Sequence, residues 1–91
     1  MSMPKKITHR RLWDLGRQYA RKAVPHVVEQ ARAQKYRLPC RSTAELFPVL
    51  RDVYVLLERE HGIPWDYLTV AKQDDFLTGF WNQLRREHVL E

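Results

Sequence analysis

The chain has 91 residues, which is enough for one domain with a single modest core. Hydrophobic residues make up 44% of the chain and charged residues 30%, a balance typical of folded globular proteins rather than disordered chains. With only 3 glycines, 5 prolines and 1 cysteine, the composition excludes a disulfide framework and argues against folds built from many tight turns.

The charge is divided unevenly between the two halves of the chain. Residues 1–41 contain eleven Lys and Arg against two acidic residues, a net charge of +9. Residues 42–91 contain five Lys and Arg against nine acidic residues, a net charge of −4. The basic half could meet an external polyanion such as nucleic acid, or the two halves could complement each other within or between chains.

The sequence has no pattern of a secretory signal or a membrane span. The charged start at Lys5 and Lys6 is not followed by an apolar run of about 7–15 residues. Together with the single cysteine, this predicts a cytoplasmic protein with no membrane partner. The final Leu90 and Glu91 could be a remnant of an expression tag, so we assign them no function.

The helical period begins at Thr8, which we predict to be the N-cap of an amphipathic first helix. Its apolar positions have the spacing of one helix face: Leu12, Leu15, Gly16, Tyr19 and Ala23. At about 100° per residue, Arg10, Arg17 and Arg21 fall about 140–180° away from the first leucine of that face. The first helix should therefore expose a basic ridge, which Asp14 on the same side dilutes.

Proline divides the first half of the chain. Pro25 should kink or break the first helix near Val24, because proline lacks the backbone N–H that the next hydrogen bond needs. A shorter helical piece is then predicted from about His26 to Gln34. Residues 35–41 form a connecting loop in this interpretation.

The second half begins with a helix-start signal. Ser42 and Glu45 have the spacing of a capping box, and the helix that follows has the strongest apolar stripe in the chain. Pro48 lies too deep for the first turn if Ser42 is the cap, so the helix could begin again at this proline. Gly62 stands where a helix C-terminal stop is expected.

The last helix is predicted from about Val70 to His88, after a tight turn at residues 64–67. Within it, Gly79 weakens the helix unless it permits a close contact between helices. We therefore expect an all-α, single-domain bundle of three main helices plus a shorter fourth. This domain covers residues 8–89 and follows a flexible basic tail at residues 1–7.

The residue types that catalyse reactions or bind metals are scattered along the chain. No two histidines have the spacing that places two ligands on one helix face: His9, His26, His61 and His88. The three isolated glycines cannot form a phosphate-binding loop. Cys40 lies near Arg37 and Arg41 and could be a reactive thiol, but a half-buried structural cysteine is the preferred interpretation. We expect no enzymatic activity, no cofactor and no metal site.

The basic half is the leading candidate for a binding surface. Arginines on one ridge could follow a phosphate backbone with a steep dependence on salt. Tyr36, between Lys35 and Arg37, could stack on an unpaired base. These observations favour a non-catalytic regulatory protein that contacts DNA or RNA. The candidate residues are Arg10, Arg11, Arg17, Arg21, Lys22, Lys35, Tyr36 and Arg37.

An equally serious hypothesis is a small helical adaptor or inhibitor that binds an acidic surface of a larger protein through a basic and aromatic face. The chain has 3 Trp, 4 Tyr and 3 Phe, more aromatic side chains than a core of this size hides easily. Sequence alone does not decide whether Trp13, Tyr36 and Phe76 are exposed. The surplus aromatic surface is also compatible with a homodimer.

Overall fold

A computed structural model of the chain describes residues 7–91. The predicted basic tail therefore lies outside the described residues, except for Ile7. The all-α prediction is confirmed, since the only extended pairing in the described part is one bridge between Cys40 and Leu90. The structure contains three α-helices and two short 3-10 turns: α1 (His9–Gln34), a turn at Thr43–Leu46, α2 (Phe47–His61), a turn at Trp65–Tyr67, and α3 (Val70–Arg86).

α1 begins where the sequence predicts. Thr8 Oγ1 accepts a hydrogen bond from the backbone N–H of Arg11 at 3.1 Å, which satisfies one of the free donors of the first turn. The helix runs for 26 residues and ends at Lys35, whose left-handed backbone (φ 57°) lets its N–H donate to the Ala31 carbonyl. At about 1.5 Å per residue, α1 is about 39 Å long. It accounts for most of the 45 Å long axis of the molecule.

Of the kink or break predicted at Pro25, the break does not occur. α1 passes through this proline without interruption, so the piece predicted as a shorter fourth helix is the C-terminal part of α1. Pro25 itself is exposed, whereas Ala23 and Val27 on either side of it are buried. Burial of the apolar face on both sides of the proline holds the helix together and offsets the loss of one backbone hydrogen bond.

α1 and α3 run parallel in a fixed register. His9 Nδ1 is paired with the Asp75 carboxylate, and Arg17 Nε donates to Gln83 Oε1 at 3.4 Å. Both pairs are 66 positions apart in the sequence, so the two helices advance in the same direction. α2 runs in the opposite direction and brings the chain back to the N-terminal end of α1, where α3 begins.

Two glycines allow the backbones of α1 and α3 to touch. A Cβ atom added at Gly16 would overlap the carbonyl oxygen of Phe76. A Cβ atom added at Gly79 would overlap the carbonyl oxygen of Trp13 on the other helix. The close contact that the sequence suggested for Gly79 is therefore present, and Gly16 makes the reciprocal contact.

α2 starts and stops on the predicted signals. Glu45 Oε2 accepts from the Ser42 backbone N–H at 3.2 Å, closing the capping box around the preceding 3-10 turn. α2 then begins at Phe47 with Pro48 in its first turn, where a proline costs no hydrogen bond. Gly62 ends the helix in the left-handed conformation (φ 66°).

α2 packs antiparallel on the C-terminal part of α1. Near the end of α2, Glu60 Oε1 accepts a hydrogen bond of 2.5 Å from Tyr19 Oη. Near the start of α2, Val49 lines the same groove as His26 of α1. His26 lies seven residues, or about two helical turns, after Tyr19. α3 covers the N-terminal part of α1 and α2 the C-terminal part, and both leave the opposite side of α1 free.

An aromatic cluster joins the three helices. Phe76 and Phe80 are fully buried, so Phe76, whose exposure the sequence left open, belongs to the core. Trp65 stacks on Tyr54 with ring centroids 3.9 Å apart, and its edge meets Phe76 at 5.4 Å. These rings fill the space between the C-terminal part of α2 and the start of α3.

The C-terminal residues complete the core. α3 ends at Arg86, two residues before the predicted end, and the chain then turns toward the loop between α1 and α2. The Cys40 N–H donates to the Val89 carbonyl at 2.8 Å, and the Glu91 N–H donates to the Cys40 carbonyl at 2.9 Å. Leu90 is only 3% exposed. The packed structure thus includes a residue to which the sequence analysis assigned no role.

Candidate nucleic-acid interface

The solvent-facing side of α1 carries arginines along most of its length. The buried residues of α1 occupy an arc of about 160°, which leaves about 200° of the helix surface free. We call the four arginines that lie about 140–200° from Leu12 around the helix the arginine ridge: Arg10, Arg17, Arg21 and Arg32. The ridge extends for about 33 Å along the helix axis.

Arg32, which is not among the eight candidate residues given above, also lies on the ridge. The expected break at Pro25 separated it from the first helix, whereas the continuous α1 aligns it with Arg10 and Arg21. All three side chains are exposed. When the helical period is continued past the proline, Arg32 lies about 200° from Leu12 on the same wheel.

Arg17 differs from its neighbours because it is held in place. Its guanidinium lies 5.0 Å from the centroid of the Trp13 ring, and its Nε donates to Gln83. The side chain is half-buried at the seam between α1 and α3. The cation covers one face of the Trp13 indole, so that face is not free for another ring.

Arg11 and Lys22 lie on the other flank of the free arc. Both are exposed. The Lys22 ammonium is 5.2 Å from the centroid of the Tyr19 ring, beside α2. The free arc therefore has cations on both flanks, with the half-buried Asp14 between them.

The three candidates in the loop are separated from the ridge by the end of α1. Lys35 and Arg37 are exposed, whereas Tyr36 is half-buried and packs against the core. Burial also raises the pKa of the Tyr36 hydroxyl, and Cys40 and Glu45 make smaller contributions in the same direction. The ring does not project from the basic surface in the way that base stacking requires.

In the described part of the chain, no acidic side chain forms an ion pair with the arginine ridge. Within residues 7–91, the only ion pair closer than 4.0 Å joins His9 to Asp75 of α3. Asp14 and Glu29, the two carboxylates of α1 itself, are not paired with a ridge arginine. The ridge therefore presents its positive charge to solvent.

Burial argues against a reactive Cys40. The thiol is buried, and this burial raises the pKa of Cys40 above its usual value, with Glu45 acting in the same direction. The nearby arginines that the sequence suggested as activating groups do not dominate its environment. The structure supports the interpretation of Cys40 as a structural cysteine.

A small groove separates α1 from α2. Its volume is about 140 Å³, and its lining is mostly apolar, with Lys22, His26 and Asp52 as the charged or titratable residues. In the part of the chain that the structure describes, no group of three or more His, Cys, Asp or Glu side chains is arranged to hold a metal ion. Among the same residues, no helix is long and apolar enough to cross a membrane.

The most exposed aromatic side chains are not on the arginine ridge. Phe47, 50% exposed, lies at the start of α2, and Tyr67, 70% exposed, lies in the turn before α3. Trp13 and Trp81 are half-buried. The basic surface and the exposed aromatic rings are thus in different places.

Comparison with protein families, curated proteins and solved structures finds no match to this chain.

Proposed function

We propose that the chain is a small, non-catalytic binding protein whose basic N-terminal half contacts a polyanion, with nucleic acid as the ligand. The observation that carries this proposal is the unpaired arginine ridge. Nine acidic residues are present in residues 42–91, yet within the described part none lies within 4.0 Å of a ridge guanidinium.

The position of the ridge also supports this function. Arg10, Arg21 and Arg32 lie on the side of α1 opposite to α2 and α3, so a large ligand can approach them without displacing any packed element. Guanidinium groups bind phosphate oxygens through paired N–H donors and stay charged at every physiological pH. A line of such groups on a rigid helix is suited to a regularly charged polymer.

The second candidate function is an adaptor or inhibitor that binds an acidic surface of a larger protein. The pairing of Arg17 with the half-exposed Trp13 favours it, because Trp and Arg are common at the centres of protein interfaces. The exposed rings of Phe47 and Tyr67 do not add to this surface, since neither lies on the ridge. The aromatic contribution to a basic interface is therefore small, which favours nucleic acid.

The test is binding to fluorescently labelled nucleic acid, measured by anisotropy with the wild-type chain and two matched double variants. The ridge variant is Arg10→Gln with Arg21→Gln, because both side chains are exposed and make no hydrogen bond within the described structure. The control is Arg51→Gln with Arg59→Gln, which removes the same charge from exposed positions on α2.

We expect micromolar or tighter binding by the wild type and a loss of about tenfold to a hundredfold in the ridge variant at 0.1 M salt. The control variant should lose much less. Equal losses in both variants would show that only the net charge matters. Absence of binding at low salt would reject the proposed function, and capture of an acidic protein through Trp13 would then support the adaptor.

A further inference from the structure

We infer that the arginine ridge binds double-stranded DNA along its phosphate backbone, in preference to single strands. This inference rests on the proposed function and specifies the form of the ligand. It follows from three features of the described structure: the placement of the ridge on one continuous helix, the absence of stacking aromatic rings on it, and the shape of the free arc of α1.

The ridge is a row of cations on one continuous helix. Arg10 and Arg32 both belong to α1 and are about 33 Å apart along its axis. A DNA duplex is stiff over this length and carries about one charge per 1.7 Å of its axis. A flexible single strand would have to be straightened to make the same contacts, at a cost in conformational entropy.

The ridge lacks what a single-strand binding surface requires. Proteins that bind single strands gain about 1–3 kcal/mol per base from exposed aromatic rings. Trp13 is half-buried with Arg17 over one face, and Tyr36 is half-buried against the core. The exposed Phe47 and Tyr67 lie away from the ridge. Affinity for a single strand would thus depend on charge alone.

The shape of α1 favours DNA over double-stranded RNA. The free arc of about 200° stands away from α2 and α3, with basic side chains on both flanks. The major groove of B-form DNA, about 12 Å wide, admits an α-helix, whereas the major groove of A-form RNA is too narrow for side chains to enter. Arg10 and Arg11, both exposed and about 100° apart around α1, could then contact phosphates on the two walls of the DNA groove.

The experiment compares three probes that share one sequence: a 24-base-pair DNA duplex, its labelled strand alone, and the corresponding RNA duplex. Each is titrated with the wild-type chain, the ridge variant Arg10→Gln with Arg21→Gln, and the control variant Arg51→Gln with Arg59→Gln. Circular dichroism of each variant verifies that the helical content is unchanged.

We expect the DNA duplex to bind about tenfold more tightly than the single strand and the RNA duplex, and this preference to shrink in the ridge variant only. Single-strand binding equal to or tighter than duplex binding would overturn the inference while leaving the proposed function intact. Tighter binding to the RNA duplex would overturn the choice of DNA. If none of the three probes binds, both the inference and the proposed function fail.

Discussion

At the residue scale, the hydrogen bond between Tyr19 and Glu60 connects stability to pH. The bond from Tyr19 lowers the pKa of the Glu60 carboxyl below its ordinary value of 4.5, and the nearby Lys22 acts in the same direction. Burial, together with the bond to Glu60, raises the pKa of Tyr19 above its ordinary value of 10.0. The ionised Glu60 and the protonated Tyr19 are therefore the forms that the folded chain favours.

The signs of these shifts set the pH range in which the bond contributes. A lowered folded pKa means that the Glu60 contribution is complete above pH 4.5 and is lost as pH falls through the folded value. A raised folded pKa means that the Tyr19 contribution is complete below pH 10.0 and is lost as pH rises toward the folded value. Between these limits the bond stabilises the fold.

We expect Tyr19→Phe to lower the free energy of unfolding at pH 7 and to raise the pKa of Glu60 toward its ordinary value. NMR titration of the Glu60 carboxyl carbon measures that pKa directly. Tyr54→Phe is the matched control, because burial alone raises the pKa of Tyr54 to about 12 and no carboxylate accepts from it. An unchanged Glu60 titration in Tyr19→Phe would show that the bond is absent in solution.

At the element scale, the contact between α1 and α3 depends on two glycines. Replacing Gly16 by Ala would force its Cβ into the Phe76 carbonyl oxygen, and neither atom can move without shifting a helix. The gain in helix propensity, about 1 kcal/mol, is smaller than the cost of separating two backbones. We expect Gly16→Ala and Gly79→Ala each to destabilise the fold by more than about 2 kcal/mol.

Thermal unfolding followed by circular dichroism measures this effect as a fall of about 10 °C or more in the midpoint. Thr78→Ala is the control, because Thr78 is exposed and directly precedes Gly79 in α3. It should be neutral or slightly stabilising. Wild-type stability in Gly16→Ala would contradict the close packing of α1 on α3.

The C-terminal segment is the second element whose contribution can be measured. We expect Leu90→Ala to destabilise the fold by about 2–4 kcal/mol, because Leu90 is buried in a segment that is hydrogen-bonded to the α1–α2 loop. In that segment the Val89 carbonyl accepts a hydrogen bond from the Cys40 N–H. The same change should open access to the Cys40 thiol, so iodoacetamide should modify the variant faster than the wild type under native conditions. Glu91→Ala removes only an exposed side chain and is the control. Equal modification rates would mean that Leu90 does not cover the thiol.

The helices that the sequence predicts best are those with an uninterrupted apolar period and a cap. Thr8, the capping box at Ser42 and the stop at Gly62 all mark the observed helix ends. Pro25 misleads because the cost of a proline is local, whereas the burial that outweighs it involves residues on another helix. The burial of Leu90 is not predicted by the sequence, because a short extended segment has no hydrophobic period.

At the scale of the whole molecule, α1 divides the protein into a packed side and a free side. Sequence periodicity locates Arg10, Arg17 and Arg21 on the free side. The structure agrees for Arg10 and Arg21, whereas Arg17 is half-buried at the seam with α3. Periodicity does not show whether acidic residues from the second half lie against these arginines, because that depends on the tertiary arrangement. In the described structure no acidic side chain lies within 4.0 Å of a ridge guanidinium, and Asp75 of α3 pairs with His9 instead.

The salt dependence of binding to the DNA duplex tests the central claim most directly. If Arg10, Arg17, Arg21 and Arg32 each neutralise one phosphate, the slope of log K against log salt concentration should be about −3.6, where K is the association constant. In the variant Arg10→Gln with Arg21→Gln, the slope should fall in magnitude to about −1.8. A slope near zero in the wild type, or the same slope in both proteins, would contradict the assignment of the ridge as the binding surface.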